Sequence, residues 1–118
     1  MAAELWATRH PAASSIMAYP EGRAALAAAR RIGRLSAKGL ASAVEDFRSA
    51  QGELLRVGID EALALEAGEL AQDLGLRGYD AVHLASALVL GTEITFVTWD
   101  EVLALAAKRC GCAVAPAL

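Results

Sequence analysis

Apolar positions along the chain alternate between helical and extended spacing. Pro20 is expected to open a helix at the first position, which helices favour for proline, and EGRAALAAARRI runs on to Gly33, a natural C-terminal stop. Ser36 then caps a predicted second helix, AKGLASAVEDFRSAQGELLRV, with Leu40, Val44, Phe47 and Leu54/Leu55 on one stripe. The spacing shortens at Arg56–Ile59, RVGI, a brief strand. Asp60 caps the next helix, EALALEAGELAQDLG, whose Leu63, Ala67, Leu70 and Leu74 share a face. After a Gly–Leu–Arg–Gly turn comes Arg77–Gly91, RGYDAVHLASALVLG, in which only His83 and Ser86 interrupt the aliphatic run beyond Asp80. A helix apolar on every side is expected to be buried all round.

The segment TEITFVTWD carries the strongest strand signal, because Ile94–Thr98 are all β-branched or aromatic. Apolar on both faces, it reads as a central parallel strand covered by helices. Asp100 follows at its C-terminal end, where EVLALAAKR begins a helix, and CAVAP is a last short strand closed by Pro116. Strands alternating with helices predict an α/β layered fold with a parallel sheet. Ligands of such sheets lie beyond the carboxyl ends of the strands. Asp100 belongs there by position, and Asp80, opening its helix, lies at a rim of the sheet. Asp80 has two readings: a cap for the first-turn N–H groups, or a carboxylate facing a polar cleft.

The chain has 118 residues, 56% of them hydrophobic, which predicts a single packed domain over 1–118. No apolar run reaches the roughly 18 residues of a membrane span, and MAAELWATRHPAASS lacks a signal-peptide pattern. The expectation is a soluble, cytoplasmic protein without membrane contact. A net charge of −3 argues against coating nucleic acid by bulk electrostatics, though not against gripping a few phosphates locally. Cys110 and Cys112 form a lone C-x-C without the further ligands of a zinc site, and read as reduced, partly buried thiols. Two hard carboxylates on one rim suit magnesium or manganese, which take oxygen ligands.

YDAVHLASAL, then a strand, then TWDEVLALAAKRCGCAV, resembles the C-terminal half of PIN-domain ribonucleases of the VapC toxin type. That half reads Asp-Ala-x-His-Leu-Ala, a strand, Thr-x-Asp, a helix and a short final strand. SSIMAYPEGRAALAAARRIGRLS is similar to the family's Ser-Ser segment and the acidic helix behind it, so the resemblance extends from about Glu4 to Pro116. It implies a three-layer α/β/α fold with a short parallel sheet, and four carboxylates that hold Mg2+ or Mn2+ and cut RNA. Glu21, Asp80 and Asp100 match three of the four. It also implies an antitoxin partner and a homodimer.

The family begins with a strand ending in an aspartate, whereas this chain starts at the following segment, ELWATRH. The resemblance therefore implies a domain N-terminally truncated relative to the family, without the central strand and the first carboxylate. Weak metal affinity and little cleavage are the corresponding expectations. Two neighbours of the absent strand are left to pair with each other, the strand before Ser14 against Ile94–Thr98, or to bury their edges in a homo-oligomer. An alternative function is a non-catalytic PIN-like remnant that binds a protein or self-associates.

Other residues carry two readings each. Glu21 suits a helix N-terminus through the dipole alone. Arg23, Arg30, Arg31 and Arg34 either track RNA phosphates or form a solvated face. His83 is read as a buried histidine in preference to support for a ligand, and Trp99 as core or rim packing in preference to a base-stacking platform.

Overall fold

The computed structural model describes residues 12–91 and 94–116. Glu4 and the ELWATRH segment lie outside the described residues. The elements run β1 (Ala13–Ser15), α1 (Ala18–Arg31), α2 (Ala37–Gly52), β2 (Leu55–Val57), α3 (Glu61–Leu74), α4 (Gly78–Val89), β3 (Thr95–Val97), α5 (Glu101–Arg109) and β4 (Ala113–Ala115). The alternation anticipated from the spacing is present, and both strand pairs are parallel.

Local chemistry sets most boundaries. The Ser36 hydroxyl accepts the Gly39 N–H at 2.9 Å and the Asp60 carboxylate accepts the Leu63 N–H at 2.8 Å, so both act as caps. Gly75, at φ +65°, ends α3 in a left-handed conformation that disfavours a side chain. Helix α1 begins two residues before Pro20, which still falls in the first turn, where its missing N–H has no intrahelical partner to lose. Helix α2 stops at Gly52, so Leu54 and Leu55 lie beyond it, and β2 starts one residue earlier than the spacing suggested.

Leu63 and Ala67 of α3 pack with Ala81, Leu84 and Ala85 of α4, Phe96 of β3, and Leu103, Ala106 and Ala107 of α5. Helix α4 is buried or half-buried at every position from Tyr79 to Leu88, with Ser86, off this stripe, only 2% exposed. Only its end departs from the expected burial on every side, where Val89 and Leu90 are 59% and 43% exposed. Helix α1 buries no residue fully and leans on α2, where Tyr19 and Phe47 stack with centroids 5.5 Å apart. Gly22 permits that approach, since a Cβ there would overlap the Phe47 ring.

The single sheet expected from the sequence is instead two two-stranded sheets, β1–β2 and β3–β4. Direct pairing of β1 with β3 is not found among the described residues. Strand β3 is therefore not covered on both faces: Phe96 is 4% exposed but Val97 is 40% exposed. The Ala12 carbonyl and the Ile16 N–H bond to β2, so by alternation the backbone of Ala13 and Ser15 turns away from it. The Thr98 N–H bonds to Ala115, so Thr95 and Val97 likewise turn away from β4. Helix α4 packs on β1, while its His83 lies edge-on to Phe96 of β3. One helix thus spans both half-sheets, whose inner edges have no ladder partner among the described residues.

Candidate functional site

The three carboxylates singled out from the sequence all lie at element junctions. Strand β1 leads into α1 through Ser15, 2% exposed, whose hydroxyl accepts the Met17 N–H at 3.1 Å and so supports the start of α1. Glu21 stands exposed in that first turn. Asp100 follows β3 and caps α5, accepting the Leu103 N–H at 3.1 Å. Helix α4 lies against β3, with His83 beside Phe96. Asp80 lies three residues, about 4.5 Å along the helix, nearer the start of α4 than His83.

Asp80 does not cap its helix. Arg77 is the N-cap residue and makes no side-chain cap bond, while Asp80 is the third helical residue. Its half-buried carboxylate accepts from Arg77 Nε at 3.3 Å. Arg77 is 85% exposed, so the pair steers the carboxylate more than it stabilises the fold.

Tyr79 links two of the carboxylates. Burial raises the pKa of its phenol, and the nearby charges of Glu21 and then Asp80 raise it further. Glu21 from α1 and Asp80 from α4 thus both lie within electrostatic reach of the Tyr79 hydroxyl. Sequence reasoning passed over Tyr79, although it directly precedes Asp80. It also passed over the Ser15 turn and the Arg77 pairing.

Below Tyr79, the His83 ring lies 5.9 Å away, and it meets Phe96 edge-on at 5.8 Å. Its Nδ1 is buried without a hydrogen-bond partner in the structure. Burial pushes the His83 pKa below its ordinary value, against a smaller upward pull from Asp80. The unfolded chain therefore binds a proton that the folded chain resists. His83's contribution to stability is complete above the unfolded pKa of about 6.5 and is lost as pH falls towards the lower folded value. Urea midpoints are expected to drop between pH 8 and pH 5, and less so in His83→Gln. An undiminished drop in that variant would assign it to the carboxylates.

Carboxylates are suitable donors for a hard divalent cation, and magnesium commonly uses one or two of them, with water and phosphate filling the rest. Glu21 and Asp80 fit that pattern. A preformed cage is another matter: among the described residues, no three His, Cys, Asp or Glu side chains are close enough to hold one metal ion. The oxygen of Asp100 that faces Leu103 is engaged in capping.

The arginines are all exposed but differ in placement. Arg23 shares a turn with Glu21, donates to the Tyr19 hydroxyl at 2.8 Å and lies over that ring. Arg30 and Arg31 stand at the far end of α1, about 14 Å along the helix from Glu21, and Arg34 lies beyond it. Trp99 is 64% exposed, so the packing role expected for it is corrected. Cys110 and Cys112 are free thiols, and burial, then Cys110, raises the Cys112 pKa and disfavours its reactive thiolate.

An α/β domain with carboxylates where strands give way to helices belongs to the class of parallel-sheet proteins whose ligands bind at that rim. The comparisons with known proteins narrow it further. The PIN domain family matches residues 2–109, and the chain belongs to that family. Ribonuclease VapC45 of Mycobacterium tuberculosis (strain CDC 1551 / Oshkosh) is 43% identical over 118 residues, which cover 99% of this chain and 82% of that protein. Ribonuclease VapC49 of Mycobacterium tuberculosis (strain ATCC 25618 / H37Rv) matches with the same identity and coverage. No solved structure gives a significant match. PIN-domain ribonucleases of this type depend in general on a divalent metal ion.

Proposed function

We propose that this chain is a single-domain endoribonuclease that hydrolyses RNA phosphodiester bonds, the toxin of a toxin–antitoxin pair. Glu21, Asp80 and Asp100 are the residues that would hold Mg2+ or Mn2+, drawing together around the ion because the three form no preformed cluster. The observation that carries the reading is membership of the PIN family with 43% identity to proteins named ribonucleases, and Glu21 and Asp80 both lie within electrostatic reach of Tyr79. The bound ion would supply Lewis acidity towards the phosphate and a water of lowered pKa. The protein's share is positional. Asp80 is held on a buried helix and steered by Arg77, Glu21 is presented by the Ser15 turn, and the Tyr79 hydroxyl keeps its proton as a donor beside them. The other parts of the proposal are an antitoxin protein and a second copy as partners, and action in the cytoplasm. No helix among the described residues is long and apolar enough to cross a membrane.

A short RNA incubated with Mn2+ is expected to be cleaved, weakly, and excess EDTA is expected to stop it. A second reading, a non-catalytic PIN-like protein that binds a partner, is favoured by the lack of a three-ligand cluster among the described residues. Cleavage that EDTA does not affect, or none at any Mn2+ concentration, would select it.

A further inference from the structure

Trp99 is out of place as a packing residue. It is 64% exposed, the only tryptophan among the described residues, and burying such a side chain elsewhere would have removed a large apolar area from water. Its exposure is not the result of a loose loop. On one side the Thr98 N–H donates to the Ala115 carbonyl at 3.0 Å. On the other, the Asp100 N–H donates to Thr98 Oγ1 at 3.1 Å, and the Asp100 carboxylate takes the Leu103 N–H. The backbone flanking the indole is therefore bonded in place at the tip of a tight strand-to-helix turn. That turn lies beyond the carboxyl end of β3, where ligands of parallel sheets bind, and its next residue is Asp100.

We propose that Trp99 is a stacking platform for a nucleobase of single-stranded RNA next to the phosphate that the carboxylates address. The inference rests on the ribonuclease reading for the identity of the ligand. An indole presents a flat face to any base, and such stacking tolerates sequence variation because every base has a π-face. The carboxylates offer only acceptors, and with an ion they engage phosphate alone. A rigid aromatic surface one residue away adds a contact with the base and sets which phosphate enters. Val102 and Leu105, 62% and 55% exposed, continue an apolar stripe along α5 at helical spacing. That stripe makes burial against a second copy the competing outcome.

The test pairs two probes with three proteins. Twelve-residue oligouridylate and an abasic oligomer with the same number of phosphates are titrated against the wild type, Trp99→Ala and Trp99→Phe. Ca2+ replaces Mn2+, and binding is followed by fluorescence anisotropy of a labelled probe. Trp99→Ala is expected to weaken oligouridylate binding about tenfold and to leave abasic binding unchanged, with Trp99→Phe in between. Quenching of tryptophan emission by oligouridylate in a Trp6→Phe background is expected to accompany binding. Equal losses on both probes would reduce Trp99 to a support of the backbone and overturn the proposal. Unchanged RNA affinity with a dimer that dissociates on Trp99→Ala would assign the indole to a second copy instead. Trp99-dependent binding without any Mn2+-supported cleavage would keep the platform and sink the nuclease reading. A wild type that binds neither probe removes both.

Discussion

Asp80→Asn is expected to lower Mn2+-supported RNA cleavage by on the order of 100-fold, to background, while the protein stays folded. Asparagine keeps the size and an acceptor oxygen but loses the charge that holds a divalent cation, and metal-assisted hydrolysis depends on ion placement at the ångström level. Folding is spared because the lost partner, Arg77, is 85% exposed and free to hydrate. Asp100→Asn is an informative companion. Asparagine caps helices as well as aspartate, so the Leu103 bond is retained and any loss of cleavage reports on the metal alone. Initial rates over an Mn2+ series, with thermal melts as the folding control, check both variants. Asp80→Asn cleaving at the wild-type rate would remove Asp80 from the machinery.

Self-association is the second large effect. Among the described residues, the backbone groups of Ala13, Ser15, Thr95 and Val97 point away from their strand partners, and edges left open under a shared helix invite pairing with another chain. Light scattering across a micromolar dilution series is expected to show a dimer or larger species. Thr95→Pro removes an N–H that faces the open edge while leaving the β4-facing bonds of Phe96 and Thr98 in place, so it is expected to shift the population towards monomer. A wild type that stays monodisperse and monomeric throughout would end the edge-pairing account.

Signals confined to a few adjacent residues were legible in the chain. Ser36 and Asp60 cap their helices because a short polar side chain before a helical stripe reaches the N–H three residues on. The same rule describes the cap that Asp100 forms, which the sequence reading did not assign, and Asp80, with equal residue chemistry, escapes it because the helix starts at Gly78 and places Asp80 inside the first turn. The alternation of strands and helices, and the motif order that marks the PIN family, were likewise readable. The isolation of β3 from β1 was not, because an apolar run such as ITFVT reports β-propensity and says nothing about how many partners a strand finds.

By itself, then, the sequence determined the element order, the capping residues, the α3 core face and the family, each of which depends on neighbours within a few turns or on a linear motif. The tertiary structure decided that the strands form two separate pairs, that Glu21 and Asp80 from two helices both come within electrostatic reach of Tyr79, and that Trp99 faces solvent beside Asp100. Those outcomes depend on residues tens of positions apart being packed together. The balance between burying a ring and exposing it is settled by the space those neighbours leave, which local periodicity does not encode.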